Sequence, residues 1–207
     1  MGAPKQIVPG LFHWTTIHPD IHIPVSSYWV PGERIVIDPL IPSPGGLAWL
    51  KKRGPPEHVL LTSGLHYRHA AKLAAAFGCT VWCPRKGLRR LPRGLKARGY
   101  DPGDRLPGGA RAVGIGGICP DESALLFPAL AAVAVADGVI RRGSSALMFV
   151  PEEYMVDDPA DAPRVKRQLK RAYLKLVERP FKHLLLAHGN PWLRDGRAAL
   201  RAFAKAP

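Results

Sequence analysis

The sequence predicts an α/β fold, and three observations lead there. Short β-branched and aromatic runs open the chain as a meander of strands, a strand, helix, strand order follows over residues 58–83, and a long amphipathic stretch leads into the apolar strand His183 to Ala187. At 207 residues the chain is long enough to be one domain, 1–207, with a sizeable core.

Gln6 to Trp14 and Ile21 to Val30 carry the first strand patterns, Pro31-Gly32 marks a turn, and Arg34 to Asp38 is an apolar strand ending on an acid. A short helix is expected over Gly45 to Lys52, then a strand over His58 to Thr62. His66 to Phe77 reads as a helix closed by Gly78, followed by a strand over Cys79 to Cys83. This order puts Ser63 to Leu65 at the carboxyl end of a strand, where α/β folds collect their chemistry. Pro84 to Gly109 is expected to hold a short helix and an irregular surface loop, because prolines and glycines crowd it. Strands resume at Ala110 to Ile115, Ser123 to Phe127, Ala131 to Ala136 and Ala146 to Val150. Val165, Leu169, Ala172, Tyr173, Leu176 and Val177 keep helical spacing, so Pro163 to Arg179 is expected to be a helix with a basic outer face, capped by Asp161. Asp195 to Lys205 forms the last helix, and no internal repeat is visible.

No apolar run approaches the roughly 18 to 20 residues of a membrane span, and the start has no secretion-signal pattern, so a cytoplasmic location is expected. Three cysteines, Cys79, Cys83 and Cys119, lack disulfide spacing, and reduced thiols are expected. The formal charge of +14 is the most unusual bulk property. Pro84 to Arg111 holds nine Lys/Arg against two Asp, a net of +7, and a second basic stripe runs from Arg164 to Arg179. Such a field attracts anionic ligands and, weakly and without sequence preference, nucleic acid. A compositional bias toward Arg, Ala, Gly and Pro produces the same charge without any such partner.

Four segments in order carry a family resemblance. They are Arg34-Ile35-Val36-Ile37-Asp38-Pro39; Leu60-Leu61-Thr62-Ser63-Gly64-Leu65-His66-Tyr67-Arg68-His69-Ala70; Gly117-Ile118-Cys119-Pro120-Asp121-Glu122-Ser123 with Ala136-Asp137-Gly138; and Leu185-Leu186-Ala187-His188-Gly189-Asn190-Pro191. Together they resemble the metallo-β-lactamase superfamily, of the small glyoxalase II-like sort. That resemblance implies a four-layer αββα sandwich and a two-metal hydrolytic site, in which Zn or Fe ions lower the pKa of a bridging water to about 7.

The resemblance is incomplete at the metal ligands. The second segment matches a pattern that normally reads Leu-Thr-His-x-His-x-Asp-His, but Ser63 or Gly64 stands at the first histidine and the loop is one residue longer. Arg68 replaces the aspartate, and Ile118 replaces a histidine of the third segment. His66 is left alone at the first metal position, with His69, Asp137 and His188 at the second. A guanidinium has no lone pair for a metal, so an inward-facing Arg68 puts a fixed positive charge where an ion would sit, with Asp137 as its bidentate partner. In the competing arrangement Arg68 turns to solvent, and His66, His69, Asp137 and His188 hold one Zn or Fe ion.

Three functions follow. One is a mononuclear hydrolase of an anionic ester, thioester or phosphoester, with His66, Arg68 and Asp137 as the catalytic groups. The second is a non-catalytic binding protein for a small anionic ligand, and the third a nucleic-acid-binding protein using the basic 84–111 segment. Cys79 and Cys83 are expected to be buried small hydrophobes, and His58 and His183 structural histidines at strand starts. His13, His18 and His22 are expected at the surface or in turns, or one of them at the mouth of the cleft, and Asp121, Glu122 and His22 are the only visible candidates to complete a two-metal site.

Overall fold

The opening run of alternating aromatic and polar residues folds as antiparallel strands β1 (Lys5–Val8), β2 (Leu11–Ile17) and β3 (Pro24–Val30). In this computed structural model residues 3–42 and 44–206 are described, and the chain divides into two units, Met1–Tyr100 and Asp101–Pro207.

In the first unit the meander continues into β4 (Ile35–Ile37), antiparallel to β3. From there the sheet grows in parallel through β5 (His58–Leu60), β6 (Thr80–Pro84) and β7 (Ala97–Tyr100), giving seven strands in chain order. Parallel neighbours need crossovers, and α1 (Gly46–Lys52) and α2 (Ala70–Phe77) supply the first two. Trp14, Trp29, Val36, Leu50, Val59, Leu61, Leu73 and Val81 form the core beneath those helices. All three residues of β4 are buried, as expected of a central strand.

The second unit has a four-stranded sheet in the order β11 (His183–Leu186), β10 (Ala132–Val135), β9 (Ser123–Phe127), β8 (Arg111–Gly114). The crossover between parallel β10 and β11 carries α3 (Glu152–Met155) and α4 (Ala162–Leu176), and α5 (Gly196–Lys205) follows β11. Val165, Leu169, Tyr173 and Leu176 form the buried stripe of α4, packed with Leu126, Val133, Val135, Leu184, Leu186 and Leu200.

One device occurs in both units. A proline-led 3₁₀ turn, Pro31–Glu33 or Pro128–Leu130, ends on a left-handed residue, Arg34 (φ 53) or Ala131 (φ 47), and feeds a buried strand that leads to an aspartate, Asp38 or Asp137. The two stretches share only the proline, an apolar run and the aspartate, at spacings that differ by two residues, so the likeness shows in the backbone angles rather than in residue identities.

Several expectations change. The helix expected over His66 to Phe77 is broken into a 3₁₀ turn, Gly64–Tyr67, and α2, with Arg68 at φ 32 and ψ −106 between them. Pro84 to Gly109 contains the 3₁₀ turn Arg85–Arg90 and also β7, whose sequence Ala-Arg-Gly-Tyr has no strand signature. Ala146 to Val150 contributes a single bridge, Ile140 to Met148, and no strand. Asp161 is itself helical and makes no capping bond to α4; it pairs with Arg164 at 3.0 Å instead. Among the described residues no helix is long and apolar enough to cross a membrane.

Candidate functional site

In the first unit the site is built where β4 and β5 end. Asp38 follows β4 in the left-handed region (φ 45), which turns its carboxylate toward the chain leaving β5. Thr62 answers it twice, its N–H donating to Oδ1 at 2.8 Å and its hydroxyl to Oδ2 at 2.6 Å. His66 Nδ1 lies 3.0 Å from the same Oδ2 and 3.0 Å from Thr62 Oγ1. A carboxylate only accepts, so the proton sits on Nδ1 of His66 and the lone pair on Nε2. Asp38, Thr62 and His66 are all buried.

His69 is bound the other way round. Its Nδ1 accepts from the Ile41 N–H at 3.0 Å, while the His69 backbone N–H donates to Pro39 O at 2.8 Å. An imidazole that accepts at Nδ1 and is neutral carries its proton on Nε2, so neither nitrogen has a lone pair to offer a metal. Burial, Lys72 and His18 all push the His69 pKa below its ordinary value, in that order, which keeps it in the neutral form. Arg68 Nη1 donates to Ser26 O at 3.1 Å and Asp38 O at 3.0 Å, and these bonds hold the guanidinium back on the sheet. A non-glycine residue at φ 32 with ψ −106 is in a sparsely populated region costing about 1–3 kcal/mol, and strain of this kind collects at functional sites.

Of the two residues at the place of the first histidine, Gly64 leaves no room for a side chain. Gly64 abuts the backbone of Gly87, whose Cα would stand 2.9 Å from any Cβ at position 64. Ser63 uses its hydroxyl to accept the Leu65 N–H at 3.2 Å, stabilising the turn.

In the second unit Asp137 follows β10 and His188 follows β11. His188 Nε2 lies 3.2 Å from Asp137 Oδ1, and the His188 carbonyl accepts from the Arg141 N–H at 3.1 Å. Glu122, buried, accepts the Gly138 N–H on Oε1 at 2.8 Å and so fixes the backbone beside Asp137. Tyr173 is fully buried behind this segment, its pKa raised well above 10 by burial first and then by the Glu122 and Asp137 charges. In the sequence Thr62 is only part of a strand-loop motif, Tyr173 only a packing position of the helix and Glu122 a candidate ligand; the acid three residues past Cys119 in a buried loop was the available signal for its role here.

The structure thus brings together His66 with Asp38 and Thr62, His69 with Ile41, and Asp137 with His188. Among the described residues no three His, Cys, Asp or Glu side chains are placed to hold a metal ion. His66 Nε2 carries the lone pair that a ligand needs, but Arg68 and the inverted hydrogen bonding of His69 do not fit the metal-binding set.

Other expectations fare variously. His58 and His183 open β5 and β11, as expected; His58 Nδ1 accepts from Trp82 Nε1 at 3.5 Å and His183 Nδ1 from the Arg194 N–H at 3.1 Å. Cys79 and Cys83 are buried, and burial pushes the Cys79 thiol up to about 11. His13 is no surface residue: it lies within β2, bonds Ser26 Oγ at 3.0 Å, stacks on Tyr28, and has its pKa lowered to about 4 by burial.

Comparison with solved structures gives the fold its name. The chain superposes on a metallo-β-lactamase family protein from Thermus thermophilus with a TM-score of 0.68, 15% identity, and coverage of 96% of this chain and 79% of that one. The chain has the metallo-β-lactamase fold. The enzyme FIM-1 from Pseudomonas aeruginosa, solved in a mono-zinc form, matches with a TM-score of 0.66 at 16% identity over 98% of this chain and 94% of that one. The metal-soaked flavodiiron core of Flv1 from Synechocystis matches with a TM-score of 0.71 at 14% identity, over 98% of this chain and 60% of that one. No protein-family model matches the sequence, and no curated protein matches it.

Proposed function

We propose that this chain is a metal-independent binding protein on the metallo-β-lactamase fold, which takes a small anionic ligand at the loop following β5. The observation that carries this is the hydrogen bonding of that loop. His69 accepts at the nitrogen that would have to donate if the other were bound to a metal, and Arg68 stands in the motif position of a carboxylate ligand. Lys72 and His18 both act on His69 as positive charges, and Arg68 precedes it in the chain, which favours a carboxylate or phosphate over a cation. Arg68 is the anion clamp in this reading, and His66, oriented by Asp38 and Thr62, offers Nε2 as a hydrogen-bond acceptor to a ligand hydroxyl.

Isothermal titration with inorganic phosphate and with a small dicarboxylate, in the presence of chelator, tests this. Binding that survives chelator and falls at least about tenfold in R68Q supports the reading, a loss of about 1.4 kcal/mol. Binding that requires added Zn or Fe overturns it.

The pair Asp137 and His188 favours a second reading, a mononuclear metallo-hydrolase of an anionic ester, thioester or phosphoester. Two ligands of one tetrahedral ion at about 2.0–2.2 Å stand a little over 3 Å apart, and this pair is 3.2 Å apart.

A further inference from the structure

Outside the site just described, the second unit carries an open groove of about 1020 Å³ between α4 and β8. Arg164, Arg167, Arg171, Lys175 and Arg179 line it, against the single carboxylate Glu178. The apolar stripe of α4 is sealed in the core, so these cations occupy the helix's outer face. On another flank of α4 the lysines are matched locally, Lys166 by Glu152 at 2.5 Å and Lys170 by the Ala206 carbonyl at 2.6 Å. Arg164 is matched by Asp161. Among the described residues the side chains of Arg167, Arg171, Lys175 and Arg179 make no hydrogen bond or ion pair.

Arg167, Arg171 and Lys175 repeat at i, i+4 and i+8, the spacing at which like charges on a helix repel. They repeat about every 6 Å and span about 12 Å along the axis, too long for one phosphate or carboxylate to meet them all. A chain of phosphates meets a row of cations along its whole length, and the concave, one-sided groove suits one strand. The groove has no aromatic side chain on which bases would stack; its other wall is β8 and Ile115.

From this geometry we infer that the α4 groove binds the phosphate backbone of a single-stranded nucleic acid without reading its sequence. This surface shares no residue with the basic cluster of residues 85–93 or with the Arg68 loop, both in the first unit.

The test is fluorescence anisotropy of the full chain with a labelled single-stranded oligouridylate at varied salt. Engagement of four phosphates gives a slope of log K against log salt of about −3, or about 50-fold weaker binding at 200 mM than at 50 mM salt. R167Q/R171Q/K175Q/R179Q should weaken binding at least about tenfold at 50 mM and flatten the slope, while K86Q/R89Q/R93Q should leave it within about twofold. R171E alone, a minimal change, should weaken it at least about threefold, which covers the case in which the quadruple variant fails to fold. No binding of the parent at 50 mM, unchanged binding by the α4 variants, or loss through K86Q/R89Q/R93Q overturns the inference.

Discussion

Replacing Asp38 by alanine removes an acceptor on which three donors converge. The Thr62 N–H at 2.8 Å, the Thr62 hydroxyl at 2.6 Å and His66 Nδ1 at 3.0 Å lose their common partner in a place that water does not reach, since the Asp38 and His66 side chains are each about 4% exposed. Removing one partner of a buried charged network costs about 3–5 kcal/mol. Alanine must also adopt the left-handed angle at φ 45, adding about 1 kcal/mol. The expected loss for D38A is therefore about 4–6 kcal/mol, much of a typical domain's total stability. D38N is the informative companion. Asparagine tolerates the left-handed angle, and its carbonyl oxygen still accepts the Thr62 N–H, so its expected cost is about 2 kcal/mol. Urea unfolding of the three proteins measures both values as midpoint shifts at constant slope. A D38A loss below about 1 kcal/mol, or equal losses for D38A and D38N, would refute the claim that this carboxylate organises the loop.

Gly138→Ala tests the second unit. A Cβ there would strike the Tyr173 hydroxyl, lie 2.6 Å from Leu169 Cδ2 and 3.1 Å from Glu122 Oε1, so a loss of about 2–3 kcal/mol is expected in thermal or urea unfolding, and a neutral result contradicts the packing. His13 sets a pH dependence: above pH 6.5 both folded and unfolded chains hold it neutral, but below 6.5 the unfolded chain takes up a proton that the folded one refuses until about pH 4. Stability should therefore fall by up to about 3 kcal/mol between pH 6.5 and 4, and H13Q should flatten that part of the profile. His58, His69 and His183, whose pKa values are also lowered, act in the same direction.

The fold was legible where side chains repeat with the backbone. Arg34 to Asp38 announced a buried strand ending on an acid, and Val165, Leu169, Tyr173 and Leu176 announced the buried face of α4; both stand as expected. Leu185 to Gly189 likewise placed His188 at the end of β11. What escaped is what the backbone decides alone. β7 pairs by its ladder with β6 while showing Arg98 and Gly99 as its middle residues, and no side-chain pattern marks such a strand. The break at Arg68 comes from bonds to the Ser26 and Asp38 carbonyls, partners 42 and 30 residues away in sequence, which no local window contains.

The site was legible as a set of positions but not as a set of protonation states. His66 and His69 look alike in the sequence, yet one nitrogen faces a carboxylate and the other faces a backbone N–H. That difference decides which of them has a lone pair to give, and it depends on where Asp38 and Ile41 fall in space. The absence of a histidine at 64 was visible; the approach of Gly87, which leaves no room for a side chain there, was not.

Metal content of the full chain purified without chelator tests the central claim most directly. The account predicts Zn and Fe well below one equivalent, the same in the parent and in H188A, with a melting temperature that chelator does not move. One equivalent or more of either metal, lost in H188A and accompanied by a chelator-sensitive melting temperature, would contradict it and establish Asp137 and His188 as the core of a working metal centre.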